Sequence, residues 1–185
     1  SLEDVVRRVR EELERLLRTH EEVIRRVEEE LRRLLEEYRK VSKEIEEDLR
    51  RLLKEVRDRN IEDEKLRRLE KKLRELIKRS RELLEELRRR AEEIVRRLRD
   101  SLRRLKEDIR RIVEKIDKDR EDGRPVEDLL REIKKELEDV KRKVDKLNEE
   151  VERILKKAKD EVKEAIKENR DRLRRLRDEV RRLKK

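Results

Sequence analysis

Glu-Glu-Leu-Arg-Arg-Leu-Leu at residues 29–35 recurs 18 residues later as Glu-Asp-Leu-Arg-Arg-Leu-Leu at residues 47–53, and an earlier copy, Glu-Glu-Leu-Glu-Arg-Leu-Leu, occupies residues 11–17. Eighteen residues make five turns of an α-helix at 3.6 residues per turn, so the apolar residues of every copy fall on the same side of one helix. The same spacing continues along the chain, as in Leu69, Leu87 and Leu105 and in Leu137, Leu155 and Leu173. The pattern predicts long amphipathic helices.

The length of the repeat also predicts how the helices run. A seven-residue repeat imposes a left-handed supercoil and an eleven-residue repeat a right-handed one, because neither matches the period of a straight α-helix. An 18-residue repeat does match that period. We therefore expect nearly straight helices with little winding about each other.

Composition alone would suggest a different class of protein. The chain is 63% charged and 31% hydrophobic, whereas average globular chains carry about 25% charged residues. High charge with few apolar residues is typical of disordered chains. Here the strict periodicity of the apolar residues favours helices that pack on each other instead.

Two short stretches interrupt the helical pattern. The first, at residues 59–61, contains Asn60, which tolerates the left-handed conformation that often ends a helix. The second, at residues 121–124, contains the single glycine, Gly123, and is followed by the single proline, Pro125. Glycine is favoured just past a helix end and proline at a helix start. The chain therefore divides into helices near residues 2–58, 62–120 and 125–184.

These segments define the expected fold. Short connections make consecutive helices antiparallel neighbours. We predict an all-α fold, an up-down-up three-helix bundle with nearly straight helices of about 60 residues, as a single domain over residues 1–185. Ser1 followed by Asp4 predicts a capped start of the first helix. The pattern does not indicate the handedness of the bundle.

The residue types argue against several functional classes. The chain has no cysteine and one histidine, which excludes zinc sites built from those ligands, and a single glycine cannot form a phosphate-binding loop. No apolar run exceeds two residues, so we expect neither a membrane-spanning helix nor a signal peptide. We predict no enzyme activity, no catalytic residue, no cofactor and no metal.

His20 is a candidate base or ligand because imidazole titrates near neutral pH. Leu16, Ile24 and Val27 surround it at helical spacing, which places it on the apolar face. A catalytic site needs several partner groups in reach of each other, and the sequence indicates none beside His20. We interpret it as a core residue.

The charged residues are interpreted as solvated helix faces. The 53 acidic residues are so dense that pairs at any given spacing carry no information, and most lie three or four residues from a Lys or Arg, where they support a helix modestly. The densest basic cluster, Arg88-Arg89-Arg90, has no aromatic residue beside it on which a base could stack. Charge runs on helices are usually surface.

Six polar residues stand in helical rows that are otherwise largely apolar. Antiparallel neighbours at one level lie equally far from the loop that joins them, and this rule brings the six into two groups of three. We therefore hypothesise two hydrogen-bonded layers in the core, one of His20, Ser101 and Asn148 and the other of Ser42, Ser80 and Asn169. Such layers can determine register and helix pairing, as a buried Asn does in coiled coils. In the alternative, these residues sit at the edges of the apolar stripes and reach water.

The regular 18-residue rows, the matched helix lengths and the minimal loops resemble those of de novo designed, parametric, untwisted antiparallel three-helix bundles. The resemblance covers the whole chain and rests on the pattern. It implies a hyperstable, monomeric scaffold without a natural biochemical activity.

Two other functions remain open. The chain could be a helical interaction or spacer protein that presents a helix face to a partner, which would need an exposed apolar patch. It could also bind polyanions weakly and nonspecifically through its net charge of +10. We expect no required partner, no membrane association and no specific nucleic acid, and the sequence indicates no cellular location beyond a soluble chain.

Overall fold

The protein is an all-α three-helix bundle, as predicted. A computed structural model describes residues 1–58 and 64–184, with the side chain of Lys184 left out. The helices are α1 (Leu2–Arg57), α2 (Glu64–Glu121) and α3 (Val126–Lys184). The predicted loop at residues 59–61 and the predicted helix start at residue 62 lie outside the described residues.

The first helix begins at the predicted cap. The backbone amide of Asp4 donates to Ser1 Oγ at 3.4 Å, and Ser1 Oγ donates to Asp4 Oδ2 at 3.0 Å. The hydroxyl therefore satisfies one of the amides that the first turn of a helix leaves without an internal partner.

The turn between α2 and α3 depends on Gly123, whose φ is 70°. The amide of Gly123 donates to the carbonyl of Arg120, and the amide of Arg124 donates to that of Asp119, both at 3.3 Å. These two bonds form a Schellman motif, which ends a helix at a residue in the left-handed region. Pro125 precedes the first residue of α3 and its carbonyl accepts from the amide of Leu129 at 3.1 Å, so α3 begins one residue later than predicted.

The chain divides into two compact units, and all three helices contribute to each. Unit 1 consists of Ser1–Glu29 and Glu93–Leu155, and unit 2 of Glu30–Glu92 and Lys156–Lys185. The single domain over residues 1–185 stays a prediction.

The core of unit 1 takes buried residues from every helix. Leu13, Leu105 and Ile133 are at most 2% exposed and belong to one cluster with six further buried residues, Val6, Val9, Ile109, Ile116, Val140 and Val144. Full burial of such a side chain contributes roughly 1.5–3 kcal/mol before the entropy of ordering is subtracted. The apolar faces of the three segments therefore hold this unit together.

Unit 2 is built in the same way from two clusters. One is centred on Leu49 and Leu73, both at 0% exposure, with Leu173 from α3. The other surrounds the ring of Tyr38, with Leu87, Val162 and Ala165. Leu49 stands 18 residues after Leu31 and 36 after Leu13, and all three are buried.

Ion pairs between helices line the rims of the cores. In unit 1, Arg99 Nε lies 3.1 Å from Glu28 Oε1 and Lys106 Nζ lies 3.0 Å from Glu21 Oε1. The partner in α1 moves toward the N-terminus as the partner in α2 moves toward the C-terminus, which is the pairing of antiparallel helices. Exposed pairs of this kind stabilise by at most about 1 kcal/mol each.

Candidate functional site

His20 and Asn148 form a hydrogen-bonded pair in unit 1. His20 is completely buried, and its Nδ1 lies 2.8 Å from Asn148 Oδ1. Because the amide oxygen can only accept, the ring donates from Nδ1–H. Nε2 is buried and has no partner among the described residues. The structure places His20 on the apolar face, as the sequence predicted, and brings it together with Asn148.

Ser101 does not complete this layer, so the hypothesis is wrong for that residue. Its side chain is half-buried and makes no hydrogen bond to His20 or Asn148 in the described part of the chain. The buried positions nearest to it on α2 are Leu98 and Leu105. Ser101 thus lies at the edge of the apolar stripe, and its row contains a charged residue 18 positions later, Asp119, which was the signal for an edge.

The second layer contains a direct contact between two serines. Ser42 Oγ and Ser80 Oγ lie 2.7 Å apart, and the residues are 5% and 1% exposed. Each hydroxyl can donate or accept, so the pair satisfies polar atoms that burial would otherwise leave without a partner. The structure therefore brings together the α1 and α2 members of this predicted layer.

Asn169, the third predicted member, bonds to Tyr38. Its Nδ2 donates to Tyr38 Oη at 3.0 Å. Tyr38 is at 0% exposure, and sequence reasoning left it out of the layer. Its position in the buried row of His20 was the available signal, because a buried tyrosine hydroxyl usually finds a partner. We call Tyr38, Ser42, Ser80 and Asn169 the Tyr38 cluster.

The electrostatics of the Tyr38 cluster follow from burial. Burial raises the pKa of Tyr38, and hydrogen bonds with Asn169 and Ser80 lower it by less. Removing the phenol from water disfavours the phenolate, so the hydroxyl stays protonated and available as a donor.

An ion pair lies next to this cluster on the surface of unit 2. Glu46, one turn after Ser42, is paired with Arg81 of α2 and bonded to Arg50 at 2.7 Å. The hydrogen bond from Arg81 is the main reason why the pKa of Glu46 lies below its ordinary value, and Arg50 adds to it. These charges tie α1 to α2 beside the serine pair.

The hydrogen bonds of Ser42 and His20 determine what chemistry these two side chains could support. A nucleophilic serine needs a base within hydrogen-bond reach, whereas the partner of Ser42 is another serine hydroxyl. His20 directs its proton-bearing Nδ1 at an amide oxygen, which does not take up a proton at neutral pH. What the arrangement can do is hold three helices in fixed positions.

The arginine cluster lies on the surface, as predicted. Arg88, Arg89 and Arg90 are exposed. Arg88 lies within ion-pair distance of Glu85 and Glu92, at 4.0 and 3.7 Å. Arg90 contacts Glu86 and Glu161 at 3.3 and 2.8 Å. Carboxylates thus surround two of the three guanidinium groups.

Two further searches cover only the described residues. Within them, no group of three or more His, Asp or Glu side chains is placed to hold a metal ion. None of the helices in that part of the chain is both long and apolar enough to cross a membrane.

Fold and site define the class of the protein as an all-α three-helix bundle with hydrogen-bonded polar residues in its core. Neither a protein-family model nor a curated protein sequence matches the chain.

Proposed function

We propose that the chain is a de novo designed structural scaffold without a natural biochemical activity. One observation carries the proposal. In both units, three helical segments bury apolar residues from 18-residue rows against each other, and charged residues occupy the remaining faces. A chain with this arrangement buries its apolar side chains against its own helices, which is what a scaffold requires.

The self-contained core also supports a monomer with no required partner, cofactor, membrane or specific nucleic acid. A spacer or interaction protein needs an exposed apolar patch for its partner. Among the described residues, the large hydrophobic side chain that is exposed is Val126, at 51%. One such side chain is ordinary on a protein surface, and this favours the scaffold over the interaction protein.

Measurement of the mass in solution by light scattering tests the proposal. The scaffold is expected to have the mass of one chain over a wide range of concentration. A dimer or larger species would favour the interaction protein, because apolar surface would then be shared between copies.

Thermal unfolding gives a second test. An idealised core of this length is expected to be hyperstable, with a Tm above about 90 °C. A cooperative transition well below that temperature would count against an idealised design.

The net charge of +10 favours weak binding of polyanions as the second candidate function. Binding of this type follows from released counterions and collapses as salt increases. Titration with DNA of random sequence at low and at physiological salt distinguishes the two. The scaffold is expected to show no binding at either salt concentration, whereas binding at low salt that is lost at physiological salt would favour the weak polyanion binder.

A further inference from the structure

The two hydrogen bonds that the buried ring residues of α1 make to α3 differ in their sequence offset. His20 and Asn148 are 128 residues apart, and Tyr38 and Asn169 are 131 residues apart. On α1 the two ring residues are separated by one 18-residue repeat, but the two asparagines on α3 are not. The asparagine partners of these two rings therefore do not follow the repeat of the apolar rows.

The apolar rows alone leave the register of the helices ambiguous. If α1 moved by one repeat along α3, Leu13 would take the place of Leu31, and Leu31 that of Leu49. All three are leucines with buried side chains, so much of the apolar packing would be made again. The displacement would be about 27 Å, from 18 residues at a rise of about 1.5 Å each.

The polar links would not be made again after such a move. His20 would take the place of Tyr38. Asn169 would then lie three residues further along α3 than the position that Asn148 has relative to His20 in the native register. Asn148 would face Leu2, and its amide would lose its partner. A move in the opposite direction would leave Asn169 beside Val56. The first register takes the buried ring of His20 away from its native acceptor, and the second leaves the buried amide of Asn169 without its partner, which is unfavourable.

We propose that the links His20–Asn148 and Tyr38–Asn169 determine the register of α1 against α3 where no turn constrains it, and that they exclude pairing shifted by one repeat with a second copy of the chain. His20 and Tyr38 are 18 residues apart on α1, whereas Asn148 and Asn169 are separated by a different number of residues on α3. Because the two spacings differ, both links can form in one register only. This inference does not rest on the proposed function, because a natural spacer with these residues would need the same register.

The test replaces the linking residues by those of their own rows. The variant H20L/Y38F/N148I/N169V removes both links. The replacements Leu, Ile and Val are the residues found 18 positions away in the same rows, at Leu2, Ile166 and Val151. Phe keeps the ring of Tyr38 and removes its hydroxyl. Nitroxide labels on E22C and E150C report the register, because both positions are exposed and the chain has no native cysteine. Pulsed electron spin resonance gives the label distance and light scattering the mass.

The parent is expected to give one short distance and the mass of one chain. The four-residue variant is expected to stay helical and to add a second distance, displaced by about 27 Å along the helix, together with species larger than one chain. The control S42A/S80A removes a buried polar pair of α1 and α2 but keeps both links, and it is expected to behave like the parent.

A folded four-residue variant with the single parent distance and the mass of one chain would overturn the proposal, since the apolar core and the turns would then suffice. If this variant does not fold, H20L/N148I and Y38F/N169V decide by the same measurements. At least one of them must show the displaced distance, and parent-like behaviour of both would refute the role of the links.

Discussion

Ser42 Oγ and Ser80 Oγ lie 2.7 Å apart between α1 and α2, in an interior where the neighbouring buried side chains are mostly apolar. Two hydroxyls that satisfy each other can be buried at small cost, whereas one alone cannot. This relationship makes the energetic role of the polar core residues measurable by substitution.

Ser80→Ala should destabilise the protein more than the double change Ser42→Ala with Ser80→Ala. Both changes remove the hydrogen bond between Ser80 and Tyr38, but only the single change also leaves the Ser42 hydroxyl buried without its partner, at an additional cost of about 1–3 kcal/mol. Guanidinium unfolding of the four members of the cycle gives the coupling energy. Ser101→Ala is the matched control, because that half-buried serine has no such contact in the described structure, and it should change stability by less than about 0.5 kcal/mol.

Asn148→Ile should be less stable than His20→Leu with Asn148→Ile. In the single variant the buried Nδ1–H of His20 loses its acceptor, and Nε2 already lacks a partner in the described structure. The difference in the free energy of unfolding between the two variants is expected to be about 1–3 kcal/mol in favour of the double variant. Equal stability in guanidinium unfolding would show that the imidazole reaches solvent or another acceptor.

Stability should fall at alkaline pH because of Tyr38. Burial raises the pKa of Tyr38 in the folded protein, so an unfolded tyrosine with a pKa of about 10 loses its proton first. The stabilisation is fully present below that pH and is lost as the pH rises through the folded pKa. Since Tyr38 is the only tyrosine and tryptophan is absent, its near-ultraviolet absorbance reports the titration directly.

Tyr38→Phe serves as the control for this pH dependence. Lysines also titrate in the same range, so the difference between parent and variant isolates the phenol. The stability difference is expected to shrink as the pH rises above about 10. A difference that does not change with pH would mean that the phenol ionises equally in the folded and unfolded chains.

Gly123→Ala should destabilise the turn between α2 and α3. The φ of 70° lies in the left-handed region, where an L-residue costs roughly 1–2 kcal/mol. A Cβ at this position would meet nothing within 4 Å, so the whole loss comes from the backbone. Gly123→Asn should lose less, since Asn tolerates this conformation better. Comparison of unfolding midpoints measures both, and an Ala variant as stable as the parent would argue against a left-handed residue here.

Much of the fold could be predicted because its signals are local. The ends of α1 at Leu2 and of α2 at Glu121 follow from a capping serine and from Gly123, each of which acts within one helical turn. The level at which Ser42 meets Ser80 also follows from the chain, since the distance of each residue from the connecting loop determines it.

The contacts of Ser101 and Tyr38 were not predicted correctly from the height of each residue along its helix. Ser101 was assigned to a layer by its height along the helix, and Tyr38 was not assigned to a layer. Height does not say how a helix is rotated about its own axis or how far a side chain reaches. Tyr38 crosses to Asn169 because its ring is long, and Ser101 stays at the edge of α2 because the buried side of that helix is centred on Leu98 and Leu105.

The sequence by itself determined the helical segments, their apolar sides and the capped helix ends, because helical periodicity and capping depend on residues within a turn or a few turns of each other. Only the tertiary structure decided which polar side chains at one level form hydrogen bonds with each other. That choice depends on the rotation of three helices at once and on side-chain length, and each contact is made between residues far apart in the chain. For this reason Asn169 pairs with Tyr38, and His20 with Asn148 but not with Ser101.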